Sequence, residues 1–310
     1  AETEEPNPTA QVDAAPQDAE TQTPELADAP QAVENQTPAP DIVSAEAPVA
    51  PLEGDWRIVR GEVNHSLART FQNIGGEDGD ALSAVYARLF MWDLDLRRDL
   101  QRGDKIEVAY RLDETGMVEI STARFYSNKL GRTLTAYQWH APGDTYVSYW
   151  QEDGTEVPFR LQDSPLNNYQ QITSLLKDRP THRGMDFKTP VGTPVLSARA
   201  GTVTRTNWNL AANGNCVEVK HDDGTLAKYL HLSEVSVQAG QRVSLGAEIA
   251  LSGNTGRSTA PHLHYQLDKG STNIDPLDYH GTERRRLTSS VMETFQSEVL
   301  QMNALLDQAT

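Results

Sequence analysis

Cysteine is nearly absent. Cys216 stands alone, so no internal disulfide can staple the chain, and a single thiol neither requires nor excludes export. Long apolar runs are missing too. No stretch approaches the roughly 18 residues that a membrane span needs, and no signal peptide is read in the sequence. Lysine, arginine and aromatic residues are all missing from residues 1–52. That segment instead carries acids from Glu2 to Glu46, and most of the formal charge of -17 comes from it. No part of the chain has the basic stripe that phosphate backbones require, which excludes nucleic acid as a partner.

What the first 52 residues do contain is Pro, Ala, Glu, Gln and Thr. Such a composition cannot bury enough apolar surface to offset chain entropy. The segment reads as a disordered acidic linker, either a plain solvated tail or a tether that gives a folded part reach from a membrane anchor.

Order begins at Trp56. Residues 56–63 read as a strand, 65–74 and 80–90 as two short helices, and 105–112 alternates at period two. Residues 53–112 therefore form a β-α-α-β module. Residues 113–170 read as a β-rich module, with aromatic strands at 137–139 and 146–150 and a hairpin signal at Asp153-Gly154. Short strands with Gly, Pro and Asn turns continue through 171–281. A helix closes the chain over 282–310, striped by Leu287, Val291, Phe295, Val299, Met302 and Leu306. The expected class is mostly β with some α.

Five of the eight histidines fall within 182–264, and four of them stand with Asp186 in the motifs considered next. His262-Leu263-His264 lies in an alternating stretch, so both imidazoles share one strand face. His182 and Asp186 flank Gly184, which is read as letting the backbone bend between them. An imidazole nitrogen with a carboxylate oxygen suits zinc, and a catalytic zinc usually keeps three protein ligands and one open position. The candidates are His182, Asp186, His231, His262 and His264. Three would hold the metal, and two imidazoles would remain for proton transfer or charge stabilisation. No H-E-x-x-H helix is present to supply a glutamate base. Spacing alone does not say which histidine does which.

From about Ile172 to Pro276 the chain resembles the lysostaphin-like, or LytM-type, zinc metallopeptidases that cut peptidoglycan peptides. The resemblance is carried by His182-Arg-Gly-Met-Asp186, Gly192-Thr-Pro-Val195, Ala200-Gly-Thr-Val203, Tyr229-Leu-His231-Leu-Ser233, Gly253-Asn-Thr-Gly256 and Thr259-Ala-Pro-His262-Leu-His264-Tyr265. It implies an antiparallel β peptidase core over 171–281. It implies that His182, Asp186 and His264 bind Zn2+, with His231 and His262 as the catalytic pair. The activity implied is hydrolysis of peptide cross-links in peptidoglycan, in the periplasm or cell envelope, with a regulatory activator or inhibitor as a further partner. Relatives that act only as wall binders or amidase activators lack some of the five residues, and this chain keeps all five. Upstream, Met91-Trp-Asp-Leu-Asp95, Gly103-Asp104 and the aromatic strands resemble the N-terminal half of periplasmic cross-link endopeptidases, and residues 53–112 weakly resemble a glycan-binding LysM module. The domain order places segment 56–112 over the zinc cleft at rest.

Overall fold

The structure, a computed structural model, describes residues 49–308. The linker assigned to residues 1–52 falls almost wholly outside the described residues.

The first half runs β1 (Arg57–Glu62), α1 (Leu67–Ile74), α2 (Gly79–Phe90), β2 (Lys105–Leu112), β3 (Val118–Ser127), β4 (Arg132–Trp139) and β5 (Ser148–Trp150). Ser66 caps α1 by accepting the amide of Arg69, as a serine at that position should. The five strands pair in chain order as one antiparallel sheet. Period-two alternation assigns its faces. Ile106, Val108 and Tyr110 of β2 join the cluster under α1 and α2, built around Phe71, Tyr86, Phe90 and Phe125. Ala109 points the other way.

That other face is covered by the C-terminal helix. The second half continues with β6 (Arg160–Leu161), β7 (Gln171–Ser174), β8 (Met185–Lys188), β9 (Pro194–Leu196), β10 (Gly201–Thr206), α3 (Leu210–Asn213), β11 (Asn215–His221), β12 (Leu226–Leu232) and β13 (Glu234–Val235). It ends with β14 (Arg242–Val243), β15 (Glu248–Leu251), β16 (His262–Lys269), β17 (Thr272–Ile274), α4 (Pro276–His280), β18 (Thr282–Glu283) and α5 (Ser289–Asp307). Phe295, Val299 and Met302 of α5 bury against Tyr137, Trp139 and Trp150. The expected stripe is thus used, on the sheet face away from α1 and α2.

Two expected boundaries shift. The division between 112 and 113 runs through a sheet, because β2 and β3 pair along their whole lengths. Residues 53–112 and the strands that follow are one three-layer unit. The last helix begins at Ser289, not 282. Residues 282–283 pair with β6, and Arg285 binds Glu156 and Asp144, which keeps this stretch extended.

The remaining strands make the second core. Seven run in the order β14-β10-β11-β12-β16-β8-β7, with β17 beside β16, and β13-β15-β9 form a second sheet. Val217, Val219, Tyr229, Phe187, Leu263 and Tyr265 point into the core between them. The opposite face of the long sheet is polar, with Glu218, Lys228, Gln266 and Asp268 linked to one another by hydrogen bonds and ion pairs. The two halves meet at Trp92, which packs against both cores, at the Arg284–Asp93 ion pair, and at Arg97, which donates to the carbonyl of Asp178.

Candidate active site

The site grows from one strand pairing. β16 runs antiparallel to β8 with His264 opposite Asp186. Directly opposed side chains share a face and lie close, and His264 Nδ1 stands 2.7 Å from Asp186 Oδ1. His262, two residues back, shares that face, with Nε2 3.8 Å from the same oxygen. The alternate residues Leu263 and Phe187 fill the core behind. The polar face of the sheet therefore holds the chemistry, and its apolar face holds the strands in register.

Gly184 makes the approach possible. Its backbone is not left-handed, so the expected bend is not its role. A Cβ there would lie 2.3 Å from the Tyr265 carbonyl oxygen and 2.9 Å from His264 Nε2. Glycine is required because the strands are too close for anything larger.

His182 enters from the loop before β8. The Leu175 carbonyl lies 2.7 Å from its Nδ1, which fixes the proton there. Nε2 is sealed from solvent and makes no well-aligned hydrogen bond, although Asp186 Oδ2 is 3.1 Å away. A buried nitrogen lone pair without a donor is costly. Two imidazole nitrogens and one carboxylate, all within 4.8 Å of one another, are the donor set of a borderline-soft divalent metal. The residues present fit a metal. Electrostatics agree. Burial opposes ionisation of Asp186, yet the adjacent imidazoles of His182 and His264 hold its carboxyl well below the usual range. Burial also opposes protonation of His182, but Asp186 raises its pKa overall. An anionic carboxylate between two imidazoles attracts a cation whether proton or metal. Arg179 also reaches Asp186 Oδ2 at 3.2 Å, but it is largely exposed and contributes little.

His231 arrives by a less regular route. On β12, Leu230 stands opposite His264, and Ala227 and Tyr229 face the core. Strict alternation would send His231 into that core with them. Instead its backbone is left-handed, with φ 65°. This turns the ring to the polar face, where it sits 4.8 Å from His262 and 6.1 Å from His264, centroid to centroid. Its Nδ1 donates to the Thr255 carbonyl at 2.9 Å. Thr255 is itself held through its hydroxyl to the Leu232 carbonyl, and Gly214 and Gly256 pack so closely there that a Cβ on either would collide. Burial lowers the His231 pKa to about 4, so the ring is neutral at pH 7. His262 donates Nδ1–H to the Ala260 carbonyl at 2.8 Å, with the Ser258 hydroxyl 3.1 Å away. Both rings thus present an unprotonated Nε2, a tautomer assigned from the hydrogen-bond network.

All five residues singled out in the sequence converge here. Thr255 and Ser258, which fix two of the rings, were not assigned roles, although the Gly253–Gly256 motif marks the place. His280 is buried and bonded to the hydroxyl of Tyr265, behind the sheet from the site.

Residues 180–276, which include His182, Asp186, His231, His262 and His264, match Peptidase family M23. This segment is an M23 peptidase domain. Among its relatives, the peptidoglycan DD-endopeptidase ShyA of Vibrio cholerae is 34% identical over 234 residues, covering 70% of this chain and 52% of that one. A metalloprotease of Haemophilus influenzae is 32% identical over 235 residues, covering 72% and 48%. A crystal structure of a zinc-containing peptidase from Vibrio cholerae aligns at 28% identity over 73% of this chain and 72% of that chain, with a TM-score of 0.35. The chain spans about half the length of the two sequence relatives. Its M23 segment is the long sheet with its face of histidines, and the upstream three-layer half lies outside the family match.

Proposed function

We propose that this M23 chain is a zinc metalloendopeptidase that hydrolyses peptide cross-links of bacterial peptidoglycan in the cell envelope. The observation that carries the proposal is the convergence of His182 Nε2, Asp186 and His264 Nδ1 around one small volume, with two further imidazoles beside it. The DD-endopeptidase relative supports the substrate class.

His182, Asp186 and His264 would hold the zinc. When bound, zinc supplies a Lewis acid that makes water acidic and polarises a carbonyl. The rest of the chemistry belongs to His231 and His262. Each ring is fixed with its Nδ1–H on a backbone carbonyl, so each begins as a proton acceptor at Nε2. A proton taken from the attacking water at one Nε2 converts that ring to a donor. It then stabilises the oxyanion of the tetrahedral intermediate, or delivers the proton to the leaving amine. The neutral state of His231 at pH 7 is what makes it ready to accept.

The test is a digest of purified, chemically defined peptidoglycan with mass analysis of products, alongside metal analysis of the protein. The expected result is one zinc per chain and new free amino and carboxyl ends at the cross-links. His264→Ala and Asp186→Ala should lose both metal and products. Intact cross-links after treatment with the folded, zinc-loaded chain overturn the proposal.

A further inference from the structure

A cleft of about 430 Å³ opens between the three-layer half and the M23 core. Trp92, Tyr149, Val157 and Ile172 give it apolar walls. Arg88, from the last turn of α2, and Lys188, from the end of β8, supply positive charge.

Arg88 is the anomaly. Its Nε is sealed from solvent without a hydrogen bond. Burial lowers its pKa, and no carboxylate contributes an opposing attraction. Arg199 and Arg284 also have a sealed Nε, but their guanidinium groups are paired, Arg199 with Asp163 and Arg284 with Asp93, and Arg160 and Arg285 are held by Glu156. The two acids at the cleft face other cations and donors, Asp113 being drawn toward Lys188 and not Arg88. Glu119 is held by Arg111 at 2.7 Å, and Asp113 accepts from Thr115 and Met117 in its own turn. A buried Nε–H without a partner is costly, and the fork of a guanidinium matches a carboxylate.

The cleft is also near the chemistry. Lys188 follows Asp186 by two residues, so the two share a strand face roughly 7 Å apart, and Lys188 stands opposite His262 in the β8–β16 pairing.

We propose that this cleft binds the free carboxylate end of a short, small-side-chain peptide, with Arg88 as the partner of the carboxylate and the aromatic and aliphatic walls against the side chain. A phosphate dianion fits less well, because the walls are apolar and Arg88 supplies a single guanidinium. Two sources carry this chemistry, a free terminus of the proposed wall substrate and any small peptide end. Only the choice of D-configured probes rests on the proposed function.

The experiment is calorimetric titration of the full chain with acetyl-D-alanyl-D-alanine, its L,L counterpart and the C-terminal amide of each. Wild type, Arg88→Gln and His264→Ala are compared. The free acid should bind wild type and His264→Ala alike. The amide, or the Arg88→Gln variant with the acid, should bind at least about tenfold more weakly, as expected for a lost charge-assisted contact. Preference for D,D over L,L assigns the cleft to the wall substrate, and equal binding assigns it to small peptide ends generally. Without ligand, Arg88→Gln should melt no lower than wild type, since it removes an unpaired cation. Failure of both acids to bind wild type at millimolar concentration overturns the inference, as does equal binding of acid and amide. Binding that survives Arg88→Gln but not His264→Ala places the ligand at the metal and also overturns it. A chain that cuts cross-links yet binds neither acid sinks the cleft alone and leaves the peptidase proposal standing.

Discussion

Replacing Gly184 with alanine should damage the site more than the fold. The added Cβ would lie 2.3 Å from the Tyr265 carbonyl oxygen, where ordinary contact begins near 3.4 Å. Backbone lies on both sides of the clash, so no flexible side chain can absorb it. The strands β8 and β16 must part by about 1 Å, the shortfall from ordinary contact. Those are the strands that carry Asp186 and His264. Overpacking of this kind costs about 1–3 kcal/mol, which for a chain of this size lowers Tm by about 2–12 °C. A 1 Å displacement of positioned groups costs about 10²-fold in rate. The expected variant is folded and cooperative, with turnover near one hundredth of wild type and zinc held more weakly in competition with a chelator. Thermal unfolding, chelator competition and cross-link digestion on one preparation separate the terms. An alanine variant with wild-type zinc affinity and turnover within twofold of wild type would refute the close-approach argument.

Other consequences follow from the same geometry. His231→Ala and His262→Ala should retain zinc and lose about 10²-fold in hydrolysis, and loss of metal from either variant by elemental analysis would reverse the assigned roles. Stability should fall with acid in two windows, measured by urea midpoints from pH 7 to pH 2. Burial holds His221, His280 and His231 to about 4, below their ordinary 6.5, so the unfolded chain takes up protons first and stability drops between those values; His221→Gln with His280→Gln should shrink this step and leave the share of His231. Glu156 is opposed by burial but held to about 2 by Arg285 and Arg160, against an ordinary 4.5, so its contribution is complete above 4.5 and lost as pH falls toward 2; Glu156→Gln should lower Tm at pH 7, since breaking a buried pair costs about 3–5 kcal/mol. Arg97→Ala tests whether segment 56–112 restrains the site through the Asp178 carbonyl: faster turnover at unchanged Tm and zinc content supports restraint, and equal rates leave a packing contact.

The sequence displays what periodicity encodes. His262 and His264 sit two apart on a strand, so their shared face could be read directly, and the α5 stripe was equally plain. His231 could not be placed this way, because a single left-handed residue reverses the alternation of β12 and no composition signal announces it. The role of Gly184 was misread for a related reason. A glycine that permits a bend and a glycine that admits a neighbouring strand look alike until the neighbour is known. The seam at 112/113 failed because strand pairing is a long-range choice: β2 seeks β3, whatever module its own helices suggest. The start of α5 depended on Glu156, more than a hundred residues upstream, whose charge holds Arg285 in extended chain.

The order of elements has a consequence for exchange of parts. The chain leaves the three-layer half after β5, builds the M23 core, and returns as α5 to the sheet it left. The outgoing and returning segments pair as β6 and β18, with Leu161 opposite Thr282 and Arg160 opposite Glu283. The M23 core is therefore a cassette whose two ends lie side by side. Another core of similar end spacing can be grafted between residues 161 and 282 without opening the host layers. A construction that simply deletes everything before Leu112 does the reverse: it strips β1 and most of β2 from the sheet and leaves α5 without part of the surface it covers.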